Sequence, residues 1–187
     1  MTATIDFRSP SGGFDEPLEL WLACHERVQR FCTLLGRVKE HVEKRGADAE
    51  AAESATSIRR YFNEAAPRHH EDEEIDLFPR LLMRLDKQAT ELDADETARV
   101  RAAIGVLTAE HRANEVLWAE LDASLACIAR GEATALDAGL VEAFSGTYRQ
   151  HIEVEESVVM PAMQRHFSAT DWNEVGTAMA KRRGVTT

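Results

Sequence analysis

The sequence predicts an all-α fold, an antiparallel up-down four-helix bundle with a short additional C-terminal helix. Three observations carry this. Apolar residues recur with the helical period, and no stretch alternates with period two for long enough to build a sheet. Helix breakers are scarce, with 10 Gly and 5 Pro in 187 residues. The resulting four long segments are joined by short connections, and such helices bury their apolar stripes most simply against one another.

The first helix opens at "FDEPLELW", with Asp15 as N-cap and Pro17 in the first turn, where a missing N–H is harmless. Its stripe is Leu18, Trp21, Leu22, Val28, Cys32 and Leu35, and Gly46 stops it after about Arg45. A second helix runs from about Ala49 to Leu85, where Pro67 and Pro79 are expected to bend or locally break it. The third starts at "LDADE", where Asp93 and Glu96 have capping-box spacing, and ends at Gly131. The fourth opens on a similar pair, Thr134 and Asp137, and extends to about Phe167. A last helix, "TDWNEVGTAMAKRR", ends at Gly184. The expected organisation is a leader over 1–14, the bundle over 15–168 and a C-terminal helix over 169–187 packed on it.

The formal net charge of -11 argues against a nucleic-acid partner, since few basic groups are free to replace phosphate counterions. No apolar run approaches the roughly 20 residues that span a bilayer, so no membrane partner is expected. The N-terminus lacks the basic and apolar regions of a secretory signal. Three cysteines without C-x-x-C spacing point to free thiols in a reducing cytoplasm.

A charge-dense stretch, "HHEDEEIDLFP" at 69–79, reads at first as a solvated helix face. It aligns without a gap on "HIEVEESVVMP" at 151–161, setting His69 against His151, Glu73 against Glu155, Glu74 against Glu156 and Pro79 against Pro161. Upstream, "ACHERVQRF" and "AEHRANEVL" set His25 against His111. Two helical hairpins, each with a histidine followed by H-x-x-x-E, imply an internal duplication that converges four helices on one site. His25, His111 and His151 fall on apolar stripes, and H-x-x-x-E places each carboxylate one turn on, on the same face. Carboxylates buried there need a partner. No Lys or Arg recurs to supply one, so a metal is expected. A lone core histidine is more often structural; four in a repeated pattern are not explained that way. His70 with Glu74 is the overlapping alternative to His69 with Glu73, and the shared proline register favours the latter. His41 and His166 have no counterpart in the repeat. Histidine nitrogen and carboxylate oxygen without thiolate suit iron, manganese or zinc.

The full pattern, with "LFP" after one copy and "VMP" after the other, resembles the hemerythrin-like HHE cation-binding domain family from about Asp15 to Met163. The resemblance implies two non-haem iron ions, oxo- or hydroxo-bridged, with zinc or manganese as substitutes. It implies that His25, His69, His111 and His151 are terminal ligands and that Glu73 and Glu155 bridge. Oxygen carriers of that family have a further histidine one turn after the counterpart of His111; here that position is Glu115, an expected seventh ligand whose negative charge would favour the oxidised irons. Gln29, its counterpart in the first helix, is not expected to bind, which leaves an open position there. The function implied is binding of, or reaction with, O2, NO or peroxide. The alternatives are a peroxide- or O2-consuming enzyme, or an iron donor in stress repair. A small diatomic or peroxide ligand is the expected partner, and the protein is expected to be a monomer or homodimer.

Overall fold

The computed structural model describes residues 13–87, 93–132 and 135–185. Nearly all of the leader lies outside the described residues, as do Leu92 and Thr134 of the two expected helix openings. Five helices follow in order: α1 (Pro17–Arg45), α2 (residues 49–87), α3 (Ala94–Ala129), α4 (residues 138–166) and α5 (Ala169–Arg182). Helix α1 packs against α2 and α4, and α3 packs against the same two, which closes the bundle. Among the described residues there is no strand, and no helix is long and apolar enough to cross a membrane.

The helix ends follow local chemistry, with corrections. Glu16, not Asp15, is the N-cap of α1, and its side chain makes no capping bond; Pro17 takes the first turn as expected. Asp93 caps α3 by accepting from the Asp95 N–H, but Glu96 does not complete a box because Arg165 engages it instead. Asp137 caps α4 through the Leu140 N–H. A two-way capping box pairs Ser168 with Asp171 at the start of α5. Gly46, at φ 78°, ends α1 in a conformation that a side chain would oppose.

Pro67, Pro79 and Pro161 bulge their helices without breaking them. A proline ring clashes with the carbonyl four residues back and offers no N–H to the ladder. For Pro67, Pro79 and Pro161 those carbonyls belong to Asn63, Ile75 and Ser157. Each falls inside a stretch wound as π-helix: Tyr61–Ala65, Asp72–Leu77 and Glu155–Val159. The wider turn absorbs the clash and keeps the helix running. Two of these turns carry Glu73 and Glu155.

Apolar packing forms two layers. One contains Val28, Leu35, Ile58, Phe62, Leu125 and Phe144. The other contains Trp21, Phe78, Leu81, Leu107, Met163 and Val175 of α5. Helix α5 reaches the segment just before α1 through Gly176, where a Cβ would stand 2.0 Å from the Phe14 carbonyl oxygen. Replacing Gly176 by alanine therefore forces the two backbones apart. We expect a loss of about 1–3 kcal/mol, read as a lower thermal midpoint with helical content retained.

Candidate metal centre

Between the two apolar layers sit six buried ionisable side chains: His25 from α1, His69 and Glu73 from α2, His111 from α3, and His151 and Glu155 from α4. None is more than 4% exposed. The H-x-x-x-E spacing works as the sequence implies: His69 Nε2 lies 3.0 Å from Glu73 Oε1, and His151 Nε2 lies 3.3 Å from Glu155 Oε1. Contacts then cross between the hairpins. His111 Nε2 is 3.3 Å from Glu73 Oε2, and His25 Nε2 is 3.1 Å from Glu155 Oε2.

The donor atoms fall into two overlapping clusters, His25–His69–Glu73–Glu155 and Glu73–His111–His151–Glu155, with all donors in a cluster within 4.8 Å of one another. Both carboxylates belong to both clusters. That arrangement could hold two cations side by side, each with two imidazoles and a share of two carboxylates.

Groups outside the cage fix which nitrogen points inward. The Nδ1 of His25 meets Glu156 at 2.9 Å, that of His111 meets Glu74 at 2.7 Å, and that of His151 meets Glu110 at 2.9 Å. An Nδ1–H donating to a carboxylate leaves Nε2 as the inward lone pair, the tautomer a metal needs. His111 Nε2 and His151 Nε2 stand 3.1 Å apart. Two lone pairs at that distance repel unless a proton or a cation lies between them. Both Glu155 oxygens, Glu73 Oε2 and His25 Nε2 are buried and touch only one another and the other cage imidazoles, with no well-directed hydrogen bond to any of them. Such atoms are costly without a partner, and their convergence on one point fits a metal site. Trp21 Nε1 donates to Glu73 Oε1 at 2.6 Å and fixes that carboxylate.

The fourth histidine breaks the symmetry. Among the described residues no carboxylate meets His69 Nδ1, and the Cys24 thiol is the polar group beside its ring. The register that matches His25 to His111 matches Cys24 to Glu110. A thiol therefore occupies the place from which a carboxylate orients His151.

The sequence-derived ligands separate cleanly. His25, His69, Glu73, His111, His151 and Glu155 are brought together. Glu115 is not: its side chain is 58% exposed and ion-pairs with Arg112 at 2.7 Å, outside both clusters. The position turned inward is Asn114, 1% exposed. Gln29 is exposed. His70 and Glu74 do not replace His69 and Glu73. His70 is buried and stacks on His111 with ring centroids 4.0 Å apart, and Glu74 orients His111 from outside. His41 pairs with Asp48 at the far end of α1, and His166 ends the last stretch of α4. Sequence reasoning missed the orienting role of Glu74 and Glu156. Their signal was present, because the two align with each other in the repeat.

Without a metal, His69, His151 and Glu73 shift one another's proton affinity. Burial opposes charge on His151, but Glu155 beside it outweighs this and raises its pKa to about 9. Burial likewise opposes charge on His69, while Glu73 holds its pKa well above the ordinary value. Burial pushes Glu73 upward, yet His69 and His111 hold it well below the carboxylate range. Burial and the neighbouring His111 push His70 well below its ordinary value, so it is uncharged. A raised histidine contributes stability that is complete below its unfolded value, near 6.5, and is lost as pH rises through the folded one. For the chelator-treated protein we expect His151 alone to remove on the order of 3 kcal/mol between pH 6.5 and about 9. Thermal melts across that window test this, and metal-loaded protein should lack the fall because a cation replaces the proton.

These features define a class: a helical bundle built from two similar hairpins, with a histidine–carboxylate cage at its centre. The model of the hemerythrin HHE cation-binding domain matches residues 16–163, and the chain belongs to that family. It is also 31% identical over 172 residues to an uncharacterized protein of Haemophilus influenzae, covering 92% of each chain.

Proposed function

We propose that this protein is a non-haem di-iron protein that binds or reacts with O2, NO or peroxide at two irons bridged by Glu73 and Glu155. The observation that supports it is the sharing of both buried carboxylates between two half-cages. His25 and His69 would hold one ion, and His111 and His151 the other. One tetrahedral zinc would leave two of the six donors unused. Iron, when bound, supplies a change of oxidation state and a vacant position for a small ligand.

The chain's own residues do the rest. Glu156, Glu74 and Glu110 hold three imidazoles in the binding tautomer, and Trp21 holds Glu73. The apolar layers on either side exclude bulk water. With Glu115 outside the cage, its charge no longer argues for oxidised irons, so reversible binding becomes the first reading. The second is an O2- or peroxide-consuming enzyme. It is favoured by His70, an uncharged imidazole that stacks on His111 and stands 3.5 Å from the Tyr148 hydroxyl, which puts polar groups able to contact a substrate beside the cage. We place the protein in a reducing cytoplasm, where its free cysteines Cys24, Cys32 and Cys127 would stay reduced.

The test is the optical spectrum of anaerobically reduced, iron-loaded protein as O2 is added and then removed. A band that forms and then fades on deoxygenation supports a reversible binder. Irreversible oxidation moves the assignment to the enzyme. No iron-dependent band sinks the di-iron reading.

A further inference from the structure

A cavity of about 460 Å³ opens between α2 and α3 and reaches Asn114, His70 and Tyr148. Asn114 is 1% exposed, yet neither its amide nitrogen nor its amide oxygen has a hydrogen-bond partner. A buried amide with both ends unpaired is rare and costly. The bundle does not require it. The register that matches His25 to His111 matches Val28 to Asn114, and that matching His69 to His151 matches His70 to Ile152. The duplicated gap between α1 and α4 is thus lined by Val28 where this one has an amide.

The walls say what would satisfy that amide. Phe62, Pro67 and Trp118 supply apolar and aromatic surface of ring size. Glu71, Glu74 and Glu115 stand around the cavity, and Arg112 is already paired to Glu74 and Glu115. No cation is left free among the lining groups to receive an anion.

We propose that this cavity binds a neutral, ring-sized organic molecule presenting a hydrogen-bond donor and acceptor side by side, as a carboxamide or lactam does. Both amide atoms are closed off as the side chain stands, so binding would turn the Asn114 side chain toward the cavity: the donor would then reach Oδ1, the acceptor would take the Nδ2–H, and the ring would lie against Trp118 and Phe62. The assignment does not depend on which ion the cage holds. The occupant would sit beside His70, which stacks on His111, so its presence would be felt at the cage.

The test is calorimetric titration of the protein as purified with benzamide, toluene and benzoate. Benzamide should bind saturably, and the other two at least about tenfold more weakly, since one lacks the donor–acceptor pair and the other carries a charge that the rim repels. Asn114→Leu should reduce benzamide to the level of toluene with metal content unchanged. Equal binding of toluene would make the cavity an apolar gap, and preference for benzoate would reverse the charge argument. Absence of saturable binding would mean that the amide stays closed off from the cavity. Each of these overturns the proposal on the unmodified protein, whether or not the variant folds. Undiminished binding to Asn114→Leu would overturn it as well.

Discussion

Glu73→Ala should lower the metal held by the chain from two ions to at most one and weaken the remaining ion at least 10–100-fold. That is the range seen when even an orienting neighbour of a ligand is lost, and Glu73 is a donor in both half-cages. Its carboxylate touches His69 and His111 and accepts from Trp21, so alanine removes the shared donor and leaves the indole N–H without its acceptor. Glu73→Gln keeps the volume and the acceptor for Trp21 but removes the charge. It should fold better than Glu73→Ala and still fail to hold two ions. Elemental analysis after gel filtration reads both variants. Full metal content in either would mean that Glu73 is not shared.

The second large effect lies outside the cage. Asp72 is 2% exposed and next to Glu73, and Arg182 and Arg183 from the end of α5 both pair with it. Arg182 also pairs with Asp76 at 2.6 Å, so α5 is tied to the π-turn that carries Glu73. Removing both arginines leaves Asp72 buried without a counter-charge, a change that typically costs about 3–5 kcal/mol. Because the two arginine side chains are 15% and 19% exposed, we expect the lower end, about 3 kcal/mol for Arg182→Ala with Arg183→Ala. Adding Asp72→Asn should recover much of that loss. Denaturant midpoints of the double and triple variants check this, and no recovery would mean that the arginines act by packing alone.

The bundle and most of the cage were legible because duplication is a strong signal. Matching Pro79 to Pro161 selected His69 over His70, a choice that one charge-dense segment could not make. Glu115 against Asn114 was not legible from α3 alone. Positions three and four after His111 both lie close to its face of the helix. Which of them turns inward depends on where α2 sits, and Arg112 draws the Glu115 carboxylate to the surface. Capping proved the least readable feature, because Glu96 satisfies a distant arginine in place of its own helix end. The role of Glu110 was hidden for a related reason: its counterpart in the repeat is a cysteine, so the pattern that exposed the ligands gave no sign of their support.

The most direct measurement is iron per chain in the reconstituted protein, combined with Mössbauer spectroscopy of the oxidised form. The shared carboxylates predict two irons per chain that are magnetically coupled into one cluster. A single iron per chain, or two that behave independently, would contradict a bridged pair at Glu73 and Glu155.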